Sequence, residues 1–120
     1  MERDAKSQSI LSRYADGHRA FPDLDDEDGV YNFDNADLRD ADFSGIFLLA
    51  TFRHANLAGA DFSRSNIKTC DFSCANLTGA KFAGSAIDAA LFEGATLTNA
   101  DFEGVSIQSH VFGKGELPPH

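Results

Sequence analysis

The chain has 120 residues and a formal net charge of −9, nineteen acidic side chains standing against ten basic ones. Such a surface repels nucleic acid phosphates and anionic membranes, and the length suits one domain with its own core. No apolar run approaches the ~18 residues of a membrane span, the start Met1-Glu2-Arg3-Asp4-Ala5 is no signal peptide, and Cys70 and Cys74 alone make neither a disulfide framework nor a four-ligand zinc site, which fits a reducing cytoplasm.

Residues 1–30 are irregular and acidic, and they read as an N-terminal cap. A short helix is predicted over Ala5 to Ala15, with Ile10, Leu11 and Tyr14 on one side, Asp4 as N-cap and Gly17 ending it. Phe21-Pro22 leads into the run Asp23, Asp25, Asp26, Glu27, Asp28. That run fails calcium-loop spacing, because matching the loop glycine to Gly29 puts Leu24 at the first ligand position. A solvated acidic loop is expected instead.

Residues 31–117 are periodic. A large apolar residue recurs every fifth position as Phe47, Phe52, Leu57, Phe62, Ile67, Phe72, Leu77, Phe82, Ile87, Phe92, Leu97, Phe102, Ile107, Phe112 and Leu117. Neither a helix nor a flat strand has that period. A small residue, most often Ala, usually stands two places before a centre, and Asp or Asn often stands one place before, as in Asn56, Asp61, Asn66, Asp71, Asn76 and Asp101. Three earlier centres, Phe33, Leu38 and Phe43, lie one residue out of phase, so one residue is lost and a tightened corner is expected near Ser44-Gly45.

The recurring Ala-(Asp/Asn)-(Leu/Phe)-x-x unit resembles the pentapeptide-repeat family over roughly residues 31–117. The resemblance implies an all-β solenoid, a right-handed quadrilateral β-helix in which each unit forms one side, with a short capping helix before it. Residue choice argues separately for four sides: Leu recurs at 57, 77, 97 and 117, Ile at 67, 87 and 107, and Phe fills the positions between. Identity therefore repeats every four units, and like side chains stack in columns, Leu opposite Ile with Phe on the other two walls. The whole set makes about 4.5 coils and a rod of roughly 20 Å at the inter-strand spacing. Leu117-Pro118-Pro119 then ends the coil, leaving residues 118–120 as a tail.

Few residues invite a chemical reading. Cys70 takes an inward small-residue slot and Cys74 a corner. His18, His54, His110 and His120 are scattered without metal-ligand spacing, and His110 falls at an inward slot of the last coil. Asn76-Leu77-Thr78 matches a glycosylation acceptor but is one more repeat. Gly59, Gly79, Gly84, Gly94 and Gly104 all close their units, so they are corner residues rather than a phosphate-binding loop.

The outward positions say more. One side of the rod is apolar to neutral, with Ile46, Leu48 and Leu49 on one wall and Leu91 and Val111 on the next, where Asp or Asn would be usual. The opposite walls are charged, with Asp37, Arg39, Asp42, Asp61, Arg64, Lys81 and Asp101. Two accounts of the apolar strip compete: the N-terminal helix covers Ile46, Leu48 and Leu49, or the strip with Leu91 and Val111 is a shallow contact surface for a partner or a second copy. A non-catalytic protein-binding or scaffold module follows, with no cofactor and no metal, a monomer or weak homodimer whose protein partner the sequence does not name. The family resemblance implies an alternative, a DNA-mimicking modulator of type II topoisomerases. The −9 charge fits it. The short rod, the lack of a C-terminal dimer-forming helix and acids interleaved with Arg39, Arg53, Arg64, Lys68 and Lys81 do not.

Overall fold

Helix α1 (Ala5–Ala15) begins where Asp4, in extended backbone, accepts a hydrogen bond from Ser7 N–H at 2.9 Å. This is the expected N-cap. The computed structural model describes residues 3–24, 27 and 29–120. The acidic-run prediction thus falls partly outside the described residues. Of that run, Asp23 is exposed and pairs with Arg13 at 3.2 Å, and Glu27 is exposed.

After α1 the chain winds into stacked coils. Strand β1 (Tyr31–Asn32) pairs in parallel with β2 (Ala50–Thr51), and single parallel bridges continue upward through Asp37–Asn56–Asn76–Thr96, Asp42–Asp61–Lys81–Asp101, Phe47–Asn66–Ala86–Ser106 and Thr51–Asp71–Leu91. Most corners repeat one device. The carbonyl of a centre accepts from the N–H three residues later, as Phe52 does from Ala55 at 3.0 Å, and the residue two after the centre has positive φ. That is a turn with its third residue left-handed, which explains why glycine is frequent there and why Arg64, Thr69, Cys74 and Ala89 (φ 57°, 66°, 59° and 61°) carry local strain.

The phenylalanines stack in columns. Phe43, Phe62, Phe82 and Phe102 stack with successive centroids 5.3, 5.2 and 4.4 Å apart. Phe52, Phe72 and Phe92 stack at 5.1 and 5.2 Å with rings within 6° of parallel. The two columns meet edge to face across the interior, as Phe72 and Phe82 do at 88°. A coil advances by one inter-strand spacing, so offset stacking along a column and T-shaped contact between columns satisfy the ring quadrupoles together. Leu57, Leu77 and Leu97, and Ile67 and Ile87, are buried in the same core.

Three expectations change. The phase slip lies between Leu48 and Phe52, not at Ser44-Gly45. Gly45 keeps the normal left-handed corner, whereas the Leu48 unit has none, and the first coil pairs at a nineteen-residue offset (Tyr31 with Ala50) before twenty takes over at Thr51–Asp71. Leu48 is therefore the core centre, at 0% exposure, and Phe47 points out, at 46%. Finally, the five-residue series stops building the coil after Ser106, the last residue to pair in parallel with the coil below. Strand β3 (Ser106–Ile107) pairs antiparallel with β4 (His110–Val111), Phe112 N–H donates to the Val105 carbonyl at 2.7 Å, and Phe112 packs on Phe102 at 6.3 Å. Ile107 is half-buried rather than in a column. Phe112 and Pro118 are buried, and Leu117 packs half-buried against the core.

The two ends differ in how their backbone edges are met. At the first coil, Asn32 N–H donates to Ser7 Oγ, Arg3 donates to the Asn32 and Asp34 carbonyls, Tyr14 Oη donates to the Arg39 carbonyl at 2.7 Å, and Asp42 N–H donates to the Arg19 carbonyl at 2.6 Å. Residues from α1 to Ala20 thus stand where a preceding coil would be.

Candidate interaction surface

The outward Asp and Asn residues turn inward on their own backbone. Asp42, Asp61, Asp71 and Asp101 each accept, through Oδ1, the N–H two residues on, at 2.8–3.0 Å. Asn76 does the same for Thr78 at 3.1 Å and also takes its hydroxyl. Each bond satisfies an amide at the corner that the parallel ladder leaves over. The carboxylates are therefore turn acceptors first. Hydrogen bonds from the Ser44 hydroxyl and amide hold Asp42 below the usual carboxylate pKa, and the Arg39 guanidinium does the same for Asp37. Near the first coil, burial opposes ionisation of Asp34, but hydrogen bonds from Arg53 and Thr51 together outweigh it and lower the pKa. Sequence reasoning missed this local role, although the recurrence of Asx one place before each centre was its signal.

Positions that give up this acceptor stand out. On the ladder Thr51–Asp71–Leu91, Leu91 is 53% exposed, and among the described residues Glu93 N–H has no acceptor where Ser73 N–H has Asp71. Leu91 lines an apolar groove of about 420 Å³ together with Ile87, Ala89, Ala90, Phe92, Glu93, Ile107, Pro118, Pro119 and His120. Val111, 62% exposed, lies on the hairpin opposite Ser106 and is not part of the groove. The structure thus separates Leu91 from Val111, which the twenty-residue period placed together, because β4 runs backward.

At the other end, Leu48 belongs to the core, not the surface, and Ile46 packs half-buried against it with Leu49 also half-buried. The contacts of α1 run to Asn32 and Arg39, while Phe47 and Val30 (55%) remain exposed. Neither account of that strip survives intact, because Leu48 is a core residue.

The remaining candidates are structural. Cys70 is buried and its thiol is pushed up to about 12 by burial, with Sγ 3.3 Å from the Leu48 carbonyl. Cys74 is exposed at its corner, and both thiols are free. His110 is exposed on the hairpin and paired with Glu116 rather than inward. Among the described residues no group of three His, Cys, Asp or Glu is placed to hold a metal, and no helix is long and apolar enough to cross a membrane.

A family model for pentapeptide repeats matches in eight copies, over residues 46–84 and 75–108. The chain belongs to the pentapeptide-repeat family. Membership makes the stacked coils a right-handed β-helix. Among solved pentapeptide-repeat structures, alr5209 from Nostoc PCC 7120 is 28% identical over 82% of this chain and 76% of its own, with a TM-score of 0.45. HetL, involved in heterocyst differentiation regulation in the same cyanobacterium, is 28% identical over 62% and 39%, at 0.37. QnrB1, a plasmid-mediated fluoroquinolone resistance protein, is 21% identical over 62% and 47%, at 0.38. The chain spans less than half the length of the latter two. No curated protein matches it in sequence.

Proposed function

We propose that this pentapeptide-repeat chain is a non-catalytic protein-binding module, a rod of about four coils capped by α1, that engages a protein partner through its Leu91 face in the cytoplasm. The observation that carries the reading is Leu91: a turn acceptor is replaced by an aliphatic side chain, half-exposed, at the mouth of an apolar groove. Surrendering a corner hydrogen bond of about 1 kcal/mol for exposed apolar area is unfavourable for folding and favourable for association. The acidic-rod reading is weaker, since the aspartates that would imitate phosphates are committed to backbone amides or to Arg39 and Arg53.

The test is affinity capture from the native host with the wild-type chain beside a Leu91→Asp, Val111→Asp variant. A partner retained by the wild type and lost by the variant is expected. Identical capture by both overturns the assignment of this face, and inhibition of gyrase supercoiling by excess protein would restore the acidic-rod alternative.

A further inference from the structure

The last coil presents an unfinished sheet edge in the wall of the groove. One coil below, the N–H groups of Phe72, Cys74, Leu77 and Gly79 donate to the carbonyls of Leu91, Glu93, Thr96 and Thr98 at 2.7–2.9 Å. Their counterparts at Phe92, Gly94, Leu97 and Asn99 form no hydrogen bond among the described residues. The same holds for acceptors: the Cys70 and Ala75 carbonyls accept from Leu91 and Thr96, while those of Ala90 and Ala95 accept nothing among the described residues. At the opposite end of the rod the corresponding edge is met by Arg3, Ser7, Tyr14 and Arg19. Here the hairpin covers only the stretch near Val105, and Pro118-Pro119, which also line the groove, have no N–H to give to Ala90.

We propose that the Ala90–Gly94 edge takes an extended peptide segment of a partner, which adds a strand to the last coil, sets an aliphatic side chain against Ile87, Leu91 and Ile107, and places a basic side chain beside Glu93. Main-chain pairing supplies affinity and the alternating side chains supply selectivity. The inference rests on the reading of the Leu91 face as a protein-binding site. Charge selects the occupant. Glu93 lines the groove and makes no ion pair among the described residues, and the chain carries −9. A second copy docked on the same edge would bring another −9 and another Glu93 against it, whereas a basic segment neutralises both.

The probe is acetyl-Lys-Val-Lys-Ile-Lys-Val-amide, titrated into the ¹⁵N-labelled full chain and followed by amide shifts and hydrogen exchange. Saturation is expected to slow exchange at Phe92 and Gly94 by about tenfold or more. Glu93→Lys, a surface change that leaves the core untouched, is expected to weaken binding about fivefold, and N-methylation of the peptide at alternate residues, or replacement of its lysines by glutamates, is expected to abolish it. No binding, binding that leaves the Phe92 and Gly94 amides unchanged, or a concentration-dependent dimer of the chain alone that Leu91→Asp dissolves would each overturn the proposal. Failure of the peptide with capture still sensitive to Leu91→Asp, Val111→Asp rejects strand addition but keeps the Leu91 face. Peptide binding with capture insensitive to that variant, in contrast, rejects the face as the native interface.

Discussion

At single residues, corner conformation and burial make opposite demands on similar side chains. Gly79 sits at φ 69° with open space on the side where a Cβ would stand, so Gly79→Ala isolates backbone strain and should destabilise by roughly 1 kcal/mol. Thr69 occupies the equivalent corner at φ 66° with a β-branched side chain, so Thr69→Gly should stabilise by about 1 kcal/mol, measured by the same denaturant unfolding curves. Equal and opposite shifts would confirm that the corners, not the walls, hold the strain. The two thiols divide likewise. Cys74 is exposed and should react with a thiol reagent in the native state, while buried Cys70, its pKa raised to about 12 by burial, should react only on unfolding. Two thiols titrating together in native protein would contradict this packing.

Elements here are five-residue sides, and their identity depends on phase. A slip of one residue exchanges core and surface. Leu48→Asp should abolish folding, since it buries an unpaired carboxylate where Leu48 has no exposure, and Leu48→Ala should destabilise by about 2–5 kcal/mol. Phe47→Asp, one residue away, should be tolerated within about 0.5 kcal/mol. It also restores a turn acceptor at a position equivalent to Asn66. Circular dichroism melts of the three variants decide the point. The helix was legible in full, from Asp4 to Ala15, because capping and periodicity are local signals. The slip was not. Both Phe47 and Leu48 are apolar and either fits a five-residue count, so only the backbone pairing of Tyr31 with Ala50 distinguishes them.

On the scale of the whole molecule, charge and stability are linked through acids that the fold uses as acceptors. Asp42, held by Ser44, and Asp23 and Asp37, held by Arg13 and Arg39, all have lowered pKa values in the folded chain. A depressed carboxylate contributes stability that is complete above its unfolded value of about 4 and lost as pH falls through the lower folded value. Urea midpoints should therefore decline steadily below about pH 4, and Ser44→Ala should shrink that decline. A flat profile from about pH 5 to about pH 2 would refute the linkage. The finished molecule measures 38 × 26 × 25 Å, with α1 hydrogen-bonded to the first coil and the β3–β4 hairpin meeting the last coil only near Val105. That asymmetry leaves the groove and the open edge beside Leu91.

The amino-acid sequence alone determined the repeat, the four-sided columns and the N-terminal helix, because each arises from spacing between near neighbours or from identity recurring at a fixed period. It marked Leu91 as an anomaly, since a break in a pattern is itself a local signal. Only the tertiary structure decided which of Phe47 and Leu48 is buried, where the coil stops, and that Val111 turns away from Leu91. Those outcomes depend on backbone partners about twenty residues apart and on the antiparallel return of β4 onto β3, and neither is written into any five-residue unit.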